Sequence, residues 1–172
     1  AQESRGLGDV YKRQQLFDVP SEVEILSNRG TNGIEGSLST AIGYATASDK
    51  LNFIIIGDLS FFYDMNALWN SNYGANVRIL LLNNEGGEIF HALPGLVLHE
   101  NARRFVTATH KSSAHAWAED RGFEYLSAHN DAELDEAVKR FTEPSVTQRP
   151  MLLEVFTDKQ LDIELLKEYY HS

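Results

Sequence analysis

Cysteine is absent from this 172-residue chain. That removes thiol nucleophiles, iron-sulfur clusters and cysteine-ligated zinc, and it reads as a chain suited to a reducing compartment. Long apolar runs are missing too. No stretch approaches the ~18 uninterrupted apolar residues of a membrane span, and no apolar run at the N-terminus resembles a signal peptide. Positive charge is scarce, with 15 Lys and Arg against 25 Asp and Glu and a formal net charge of -10. No basic run interrupts that balance, which makes nucleic acid a poor partner, because binding its backbone depends on neutralising phosphates. Small anions stay open as local ligands. The expectation is a cytoplasmic, soluble protein. What is present suffices for a core: 42% of the residues are hydrophobic, and a chain this long buries roughly 70% of the surface its unfolded form exposes.

Five short apolar runs have strand character: Val23 to Leu26, Phe53 to Ile56, Val77 to Leu82, Phe123 to Leu126 and Leu152 to Phe156. Phe53-Ile54-Ile55-Ile56 and Ile79-Leu80-Leu81-Leu82 are continuously apolar, the pattern of strands covered on both faces, and mark the sheet centre. Between the runs, spacing and turn residues place helices at Ser37 to Ser48, Phe61 to Asn72, Ser113 to Arg121, Asp131 to Thr142 and Leu161 to Tyr170. Asn130 followed by Glu133 approximates a capping box, and Leu134, Val138 and Phe141 recur on one helical face. Strands alternating with helices predict an α/β fold, a doubly wound, mainly parallel sheet of about five or six strands with helices on both faces. Two segments stand apart. Residues 85–110 carry Gly86, Gly87, Pro94 and Gly95 with no sustained period, the mark of a functional or mobile loop. Residues 1–15 form an atypical segment of the kind a fusion or assembly scar leaves, ahead of one domain over 16–172.

In an open parallel sheet, ligands bind beyond the carboxyl ends of the strands. One central run ends in Gly57-Asp58-Leu59-Ser60 and the other in Asn83-Asn84-Glu85-Gly86-Gly87. If the two strands are neighbours ~4.8 Å apart, Asp58 and Asn84 can reach a single ion. A carboxylate, an amide oxygen and a main-chain carbonyl from the Gly-rich turn make an all-oxygen half shell of the type Mg²⁺ takes when phosphate and water complete it. A helix starting after Ser60 would turn its free N–H groups toward the same phosphate. The competing reading is that Asp58 and Asn84 only cap helices or make turns. A second cluster, Ser27-Asn28-Arg29-Gly30-Thr31-Asn32-Gly33-Ile34-Glu35-Gly36, permits close backbone approach to a ligand, with Arg29 able to grip a carboxylate or phosphate. Its alternative is a Gly-rich turn bearing a surface arginine.

Taken in order, these motifs resemble those of the thiamine-diphosphate-dependent enzymes, whose signature opens with Gly-Asp and closes with Asn-Asn; here Asn84 stands 26 positions after Asp58. Ser27-Asn28-Arg29-Gly30, Gly33-Ile34-Glu35-Gly36, Ser39-Thr40, Tyr63-Asp64-x-Asn66-Ala67-Leu68 and Gly86-Gly87-x-Ile89-Phe90 resemble one branch more narrowly. That branch is the 2-succinyl-5-enolpyruvyl-6-hydroxy-3-cyclohexene-1-carboxylate synthases of menaquinone biosynthesis, transferases that decarboxylate 2-oxoglutarate and add the resulting succinyl carbanion equivalent to isochorismate. The likeness runs from about Ser27 to the C-terminus and covers their C-terminal, diphosphate-binding domain. It implies that Asp58, Asn84 and the Gly86 carbonyl hold Mg²⁺ or Mn²⁺, and that Gly57, Leu59 and Ser60 meet the cofactor diphosphate. Ile34 takes the place of the apolar residue that wedges the cofactor into its V shape. Ile89, Phe90 and Leu93 line the active-site wall, and Arg29 binds an anionic substrate group.

The resemblance also implies what is lacking. The glutamate that activates the cofactor pyrimidine lies in an N-terminal domain with no counterpart here, so the chain reads as a fragment, inactive alone, whose partner domain comes from a second subunit of a homo-oligomer. Two other readings stay open: another thiamine-diphosphate lyase of acetolactate-synthase type, and a non-catalytic α/β module that binds nucleotides or serves assembly. His91, His99 and His110 have no zinc-site spacing and read as loop surface positions. Tyr63, Leu68 and Trp69 read as core or subunit interface rather than a ligand box.

Overall fold

The computed structural model describes residues 21–27, 33–87, 90, 99–145 and 147–171. Helix α1 spans Ser37–Thr46, strand β1 Asn52–Gly57 and helix α2 Asp58–Tyr63, followed by a 3-10 turn over Met65–Leu68. Strand β2 covers Val77–Asn83, helix α3 Glu100–Val106, helix α4 His115–Asp120 and strand β3 Glu124–Ala128. Helix α5 spans Asp131–Phe141, strand β4 Met151–Phe156 and helix α6 Lys159–His171.

Among the described residues the strands form one four-stranded sheet in the order β1-β2-β4-β3, with every neighbouring pair parallel. β1 and β2 are neighbours in the register Asn52 to Val77 through Gly57 to Leu82. Their sequences carry apolar side chains to both faces; β2 is covered on both, whereas β1 leaves Phe53 49% exposed. On one face Ile54, Ile56, Val77, Ile79, Leu81 and Leu152 pack with Leu38, Ile42 and Phe61 from α1 and α2. On the other, Met151 and Leu153 pack with Ala137 and Phe141 of α5, joined by Leu80, Leu126 and Val155. The doubly covered parallel α/β sheet expected from the sequence is therefore present. Helix α5 begins at the predicted cap: Asn130 Oδ1 accepts from Glu133 N at 3.1 Å, and Glu133 reaches back to His129 N at 2.8 Å. Among the described residues, no helix is long and apolar enough to cross a membrane.

Three expectations need correction. Of the two runs expected at the sheet centre only β2 stands there, beside β4; β1 is an edge strand among the described residues. The apolar run Val23 to Leu26 is not a strand; it makes no ladder among the described residues, and Val23 and Leu26 are 55% and 52% exposed. An apolar run becomes a strand only where a neighbour takes up its backbone groups. The helix expected over Phe61 to Asn72 starts three residues earlier, at Asp58, and breaks at Asp64. The break has a tertiary cause. Gly36, at φ 82, precedes α1 without a side chain to cap it. Asp64 supplies that cap from outside, accepting from Ser39 N at 2.7 Å and Ser39 Oγ at 2.6 Å.

Candidate metal centre and cofactor site

Because β1 and β2 run side by side and in parallel, their carboxyl ends deliver Asp58 and the segment Asn83 to Gly87 to the same edge of the sheet. Asp58 opens α2 and is 3% exposed. Its Oδ1 accepts from Leu59 N at 2.6 Å, and its Oδ2 accepts from Gly86 N at 2.9 Å, which ties the two strand ends together. Burial pushes the Asp58 carboxyl above its ordinary pKa, and the Leu59 and Gly86 amides, followed by His110, oppose that shift. A cation beside it would favour the ionised form, so the residue is electrostatically suited to one.

Gly86 is required by geometry. Its φ is 149, and a Cβ there would sit 2.8 Å from Thr107 O. Glu85 before it also has a left-handed backbone, φ 66. Asn84 is half-buried, and its side chain makes no hydrogen bond to any described residue, so its amide oxygen is available as a donor to a metal. Among the described residues no three His, Cys, Asp or Glu side chains gather into a metal cluster. A cation at this edge would depend on one carboxylate, one amide and a carbonyl, the hard oxygen set that suits Mg²⁺ or Mn²⁺.

The remaining predicted residues fall as follows. Gly57 ends β1, and Leu59 and Ser60 lie half-buried in α2 beside Asp58. Phe90 donates its N–H to Gly87 O at 3.4 Å, and its ring lies against Gly87, which also faces Leu59. Ile34 is half-buried in the turn before α1 and has no hydrogen bond to Asp58, Asn84 or Gly86; its N–H donates to Glu35 Oε2 at 3.0 Å. Arg29, Ile89 and Leu93, with His91, lie outside the described residues. The structure thus joins Asp58 and Gly86 directly and brings both Leu59 and Phe90 against Gly87.

Three further residues belong to this edge. His110 is not a surface position: Nε2 stands 3.2 Å from Asp58 Oδ2, and the ring meets Phe62 edge-on with centroids 5.2 Å apart. Ser112 N donates to His110 Nδ1 at 3.1 Å, which assigns the ring proton of the neutral form to Nε2, facing Asp58. Nε2 is buried and closes no hydrogen bond of good geometry among the described residues. Asn83 and Glu154, both buried, bond to each other at 2.7 Å just beneath the turn. The Asn-Asn pair was the available signal for Asn83. Nothing local in the sequence pointed to His110 or Glu154.

The family described as thiamine pyrophosphate enzyme, C-terminal TPP binding domain, matches residues 7–155. Several curated proteins named 2-succinyl-5-enolpyruvyl-6-hydroxy-3-cyclohexene-1-carboxylate synthase are similar to the chain. One from Phocaeicola vulgatus is 68% identical over 158 residues, covering 92% of this chain and 28% of that protein. One from Bacteroides thetaiotaomicron is 60% identical over 163 residues, covering 95% and 29%, and one from Christiangramia forsetii is 41% identical over 166 residues, covering 96% and 28%. The chain spans less than a third of the length of these relatives. The shape of the sheet, the tie between Asp58 and Gly86 and this match agree, and the chain belongs to the thiamine pyrophosphate enzymes as a C-terminal TPP binding domain.

Proposed function

We propose that this chain is the diphosphate-binding part, over residues 16–172, of a synthase that decarboxylates 2-oxoglutarate and adds the succinyl unit to isochorismate. The observation that carries the reading is the convergence of Asp58, Asn84 and Gly86 at the shared carboxyl ends of β1 and β2. In this reading Asp58, Asn84 and the Gly86 carbonyl hold Mg²⁺ or Mn²⁺, and Gly57, Leu59 and Ser60 border the diphosphate. Thiamine diphosphate, when bound, supplies the carbon nucleophile and stabilises the charge that decarboxylation leaves behind. The chain's own residues supply position and charge. Ile34 shapes the bound cofactor, Phe90 with Ile89 and Leu93 walls the reacting carbon from water, and Arg29 offers a bidentate fork to a substrate carboxylate. With a net charge of -10, holding an anionic cofactor calls for local compensation by the cation. The relatives are named for a succinyl-bearing cyclohexene carboxylate, which supports transfer of a succinyl unit. A second subunit carrying the pyrimidine-binding domain would complete the active site.

The test joins this chain to the portion of the Phocaeicola vulgatus relative that lies outside the match and assays the product of 2-oxoglutarate with isochorismate. Turnover with that pair and none with pyruvate alone supports the reading; acetolactate formation from pyruvate instead would place the chain in the acetolactate-forming branch. Calorimetry separates the non-catalytic alternative, which binds NAD or ATP at least as well as thiamine diphosphate with Mg²⁺.

A further inference from the structure

Glu154 is fully buried in the sheet, one strand from the candidate metal turn. A carboxylate in such a place is unfavourable unless its oxygens are bonded. Here both are. Oε1 accepts from Asn83 Nδ2 at 2.7 Å and Ala114 N at 3.1 Å. Oε2 accepts from Ser113 Oγ at 2.7 Å, Tyr125 OH at 2.7 Å and Ala114 N at 3.1 Å. The donors come from the end of β2, the segment entering α4, and β3. An apolar side chain of similar volume would fill this position without the desolvation penalty. The cofactor reading assigns Glu154 nothing.

Its neighbour Asn83 explains it. Asn83 Nδ2 donates to Glu154 Oε1 and, at 2.9 Å, to Ser112 O, which turns Oδ1 toward Glu85 N at 3.1 Å. Glu85 and Gly86, at φ 66 and φ 149, form the turn that sets Gly86 N on Asp58 Oδ2. A flipped Asn83 amide would bring NH₂ against the Glu85 N–H, donor against donor, and release the turn. The base of the segment over 85–110 closes on the same residues. Gly87 N donates to Thr107 O at 2.7 Å, and His110 N donates to Glu85 O at 3.2 Å.

We infer that Glu154 is a positioning residue for the metal turn: by fixing which way the Asn83 amide faces, it holds Asn84 and Gly86 where a cation can bind. This rests on the proposed cation reading of Asp58, Asn84 and Gly86. The experiment measures Mn²⁺ affinity of the chain by electron paramagnetic resonance with thiamine diphosphate present, for wild type, Glu154→Leu, Glu154→Gln, Asn83→Ala and Asp58→Asn, with circular dichroism to establish folding. Wild type binds and Asp58→Asn does not. Glu154→Leu loses roughly 10- to 100-fold in affinity while folded, the range for outer partners of metal ligands. Glu154→Gln stays within about threefold of wild type, because its oxygen still accepts from Asn83 and the Ser113 and Tyr125 hydroxyls can turn round as acceptors. A folded Glu154→Leu with wild-type affinity overturns the inference alone, as does a Gln variant as weak as the Leu variant. If Glu154→Leu does not fold, Asn83→Ala decides: the same loss is expected, and unchanged affinity overturns it. A wild type that binds no Mn²⁺ overturns the cation reading and the inference together.

Discussion

At the amino ends of the strands Arg78 is fully buried, and at the carboxyl ends Glu154 is fully buried, yet the two are held quite differently. Arg78 donates to Ala75 O, Ser145 O and Thr147 Oγ1, each at 3.2 Å, and its Nε has no partner among the described residues. Its acceptors are all neutral, and burial, followed by Arg140, pushes its pKa down. Nearby, Asn76 Nδ2 donates to Ala45 O, Ser48 O and Lys50 O at 3.1, 2.8 and 3.1 Å. Polar side chains at this end tie connections together. At the carboxyl end Glu154 is saturated; above it the Asn84 side chain makes no hydrogen bond to any described residue, Asp58 is pushed up by burial, and Glu85 and Ala108 hold left-handed backbone. An open polar atom and a left-handed residue occur at the amino end too, Arg78 Nε and Ser71 at φ 54, but the carboxyl end adds a buried carboxylate of raised pKa, Asp58, on the edge where parallel sheets bind ligands. One end ties the fold together, and the other carries the proposed site.

That division can be broken by mutation. Arg78→Ala should show the largest loss of stability, about 3 kcal/mol in urea titration, from a cavity and stranded carbonyl groups. The folded variant should keep its Mn²⁺ response; losing it would breach the division. Gly86→Ala should lose about 2 kcal/mol, because the new Cβ meets Thr107 O at 2.8 Å in a backbone of φ 149, and should abolish the Mn²⁺ response as well. Asn130→Ala removes the cap of α5 and should lower stability by about 1 kcal/mol with cation binding unchanged. Glu124→Gln should have the smallest effect. Arg140 bonds the Glu124 carboxylate at 2.7 and 2.8 Å and holds its pKa below the ordinary value. A depressed carboxylate contributes stability above its unfolded pKa and loses it as pH falls through the folded value. Acid titration of wild type should therefore lose this contribution below the usual glutamate range, and Glu124→Gln should not. Solvent screening keeps it to about 0.5 kcal/mol.

How much of this was readable in the sequence follows from the range of each interaction. β1 and β2 were legible because a strand covered on both faces must be apolar at successive positions, as Ile54 to Ile56 and Ile79 to Leu82 are. The cap of α5 was legible because Asn130 and Glu133 are three residues apart. That Asp58 and the segment Asn83 to Gly87 share an edge was legible because two parallel neighbouring strands bring their ends together whatever lies between them. The break of α2 at Asp64 was hidden, since its cause is Ser39, 25 positions away. Glu154 was hidden further, 71 positions from Asn83, in a strand whose other residues are apolar. His110 was misread because nothing around it in sequence indicates that the base of the segment folds back over Asp58. Val23 to Leu26 has strand composition without a strand's neighbour.

The central claim is that the carboxyl end of this sheet binds a diphosphate through a cation held by Asp58. The most direct measurement is the melting temperature of wild type and Asp58→Asn with Mg²⁺ and thiamine diphosphate added together. Wild type should be stabilised, by ~2.7 kcal/mol at a ligand concentration ~100 times its dissociation constant, and Asp58→Asn should not respond. An equal rise in both proteins would contradict the account.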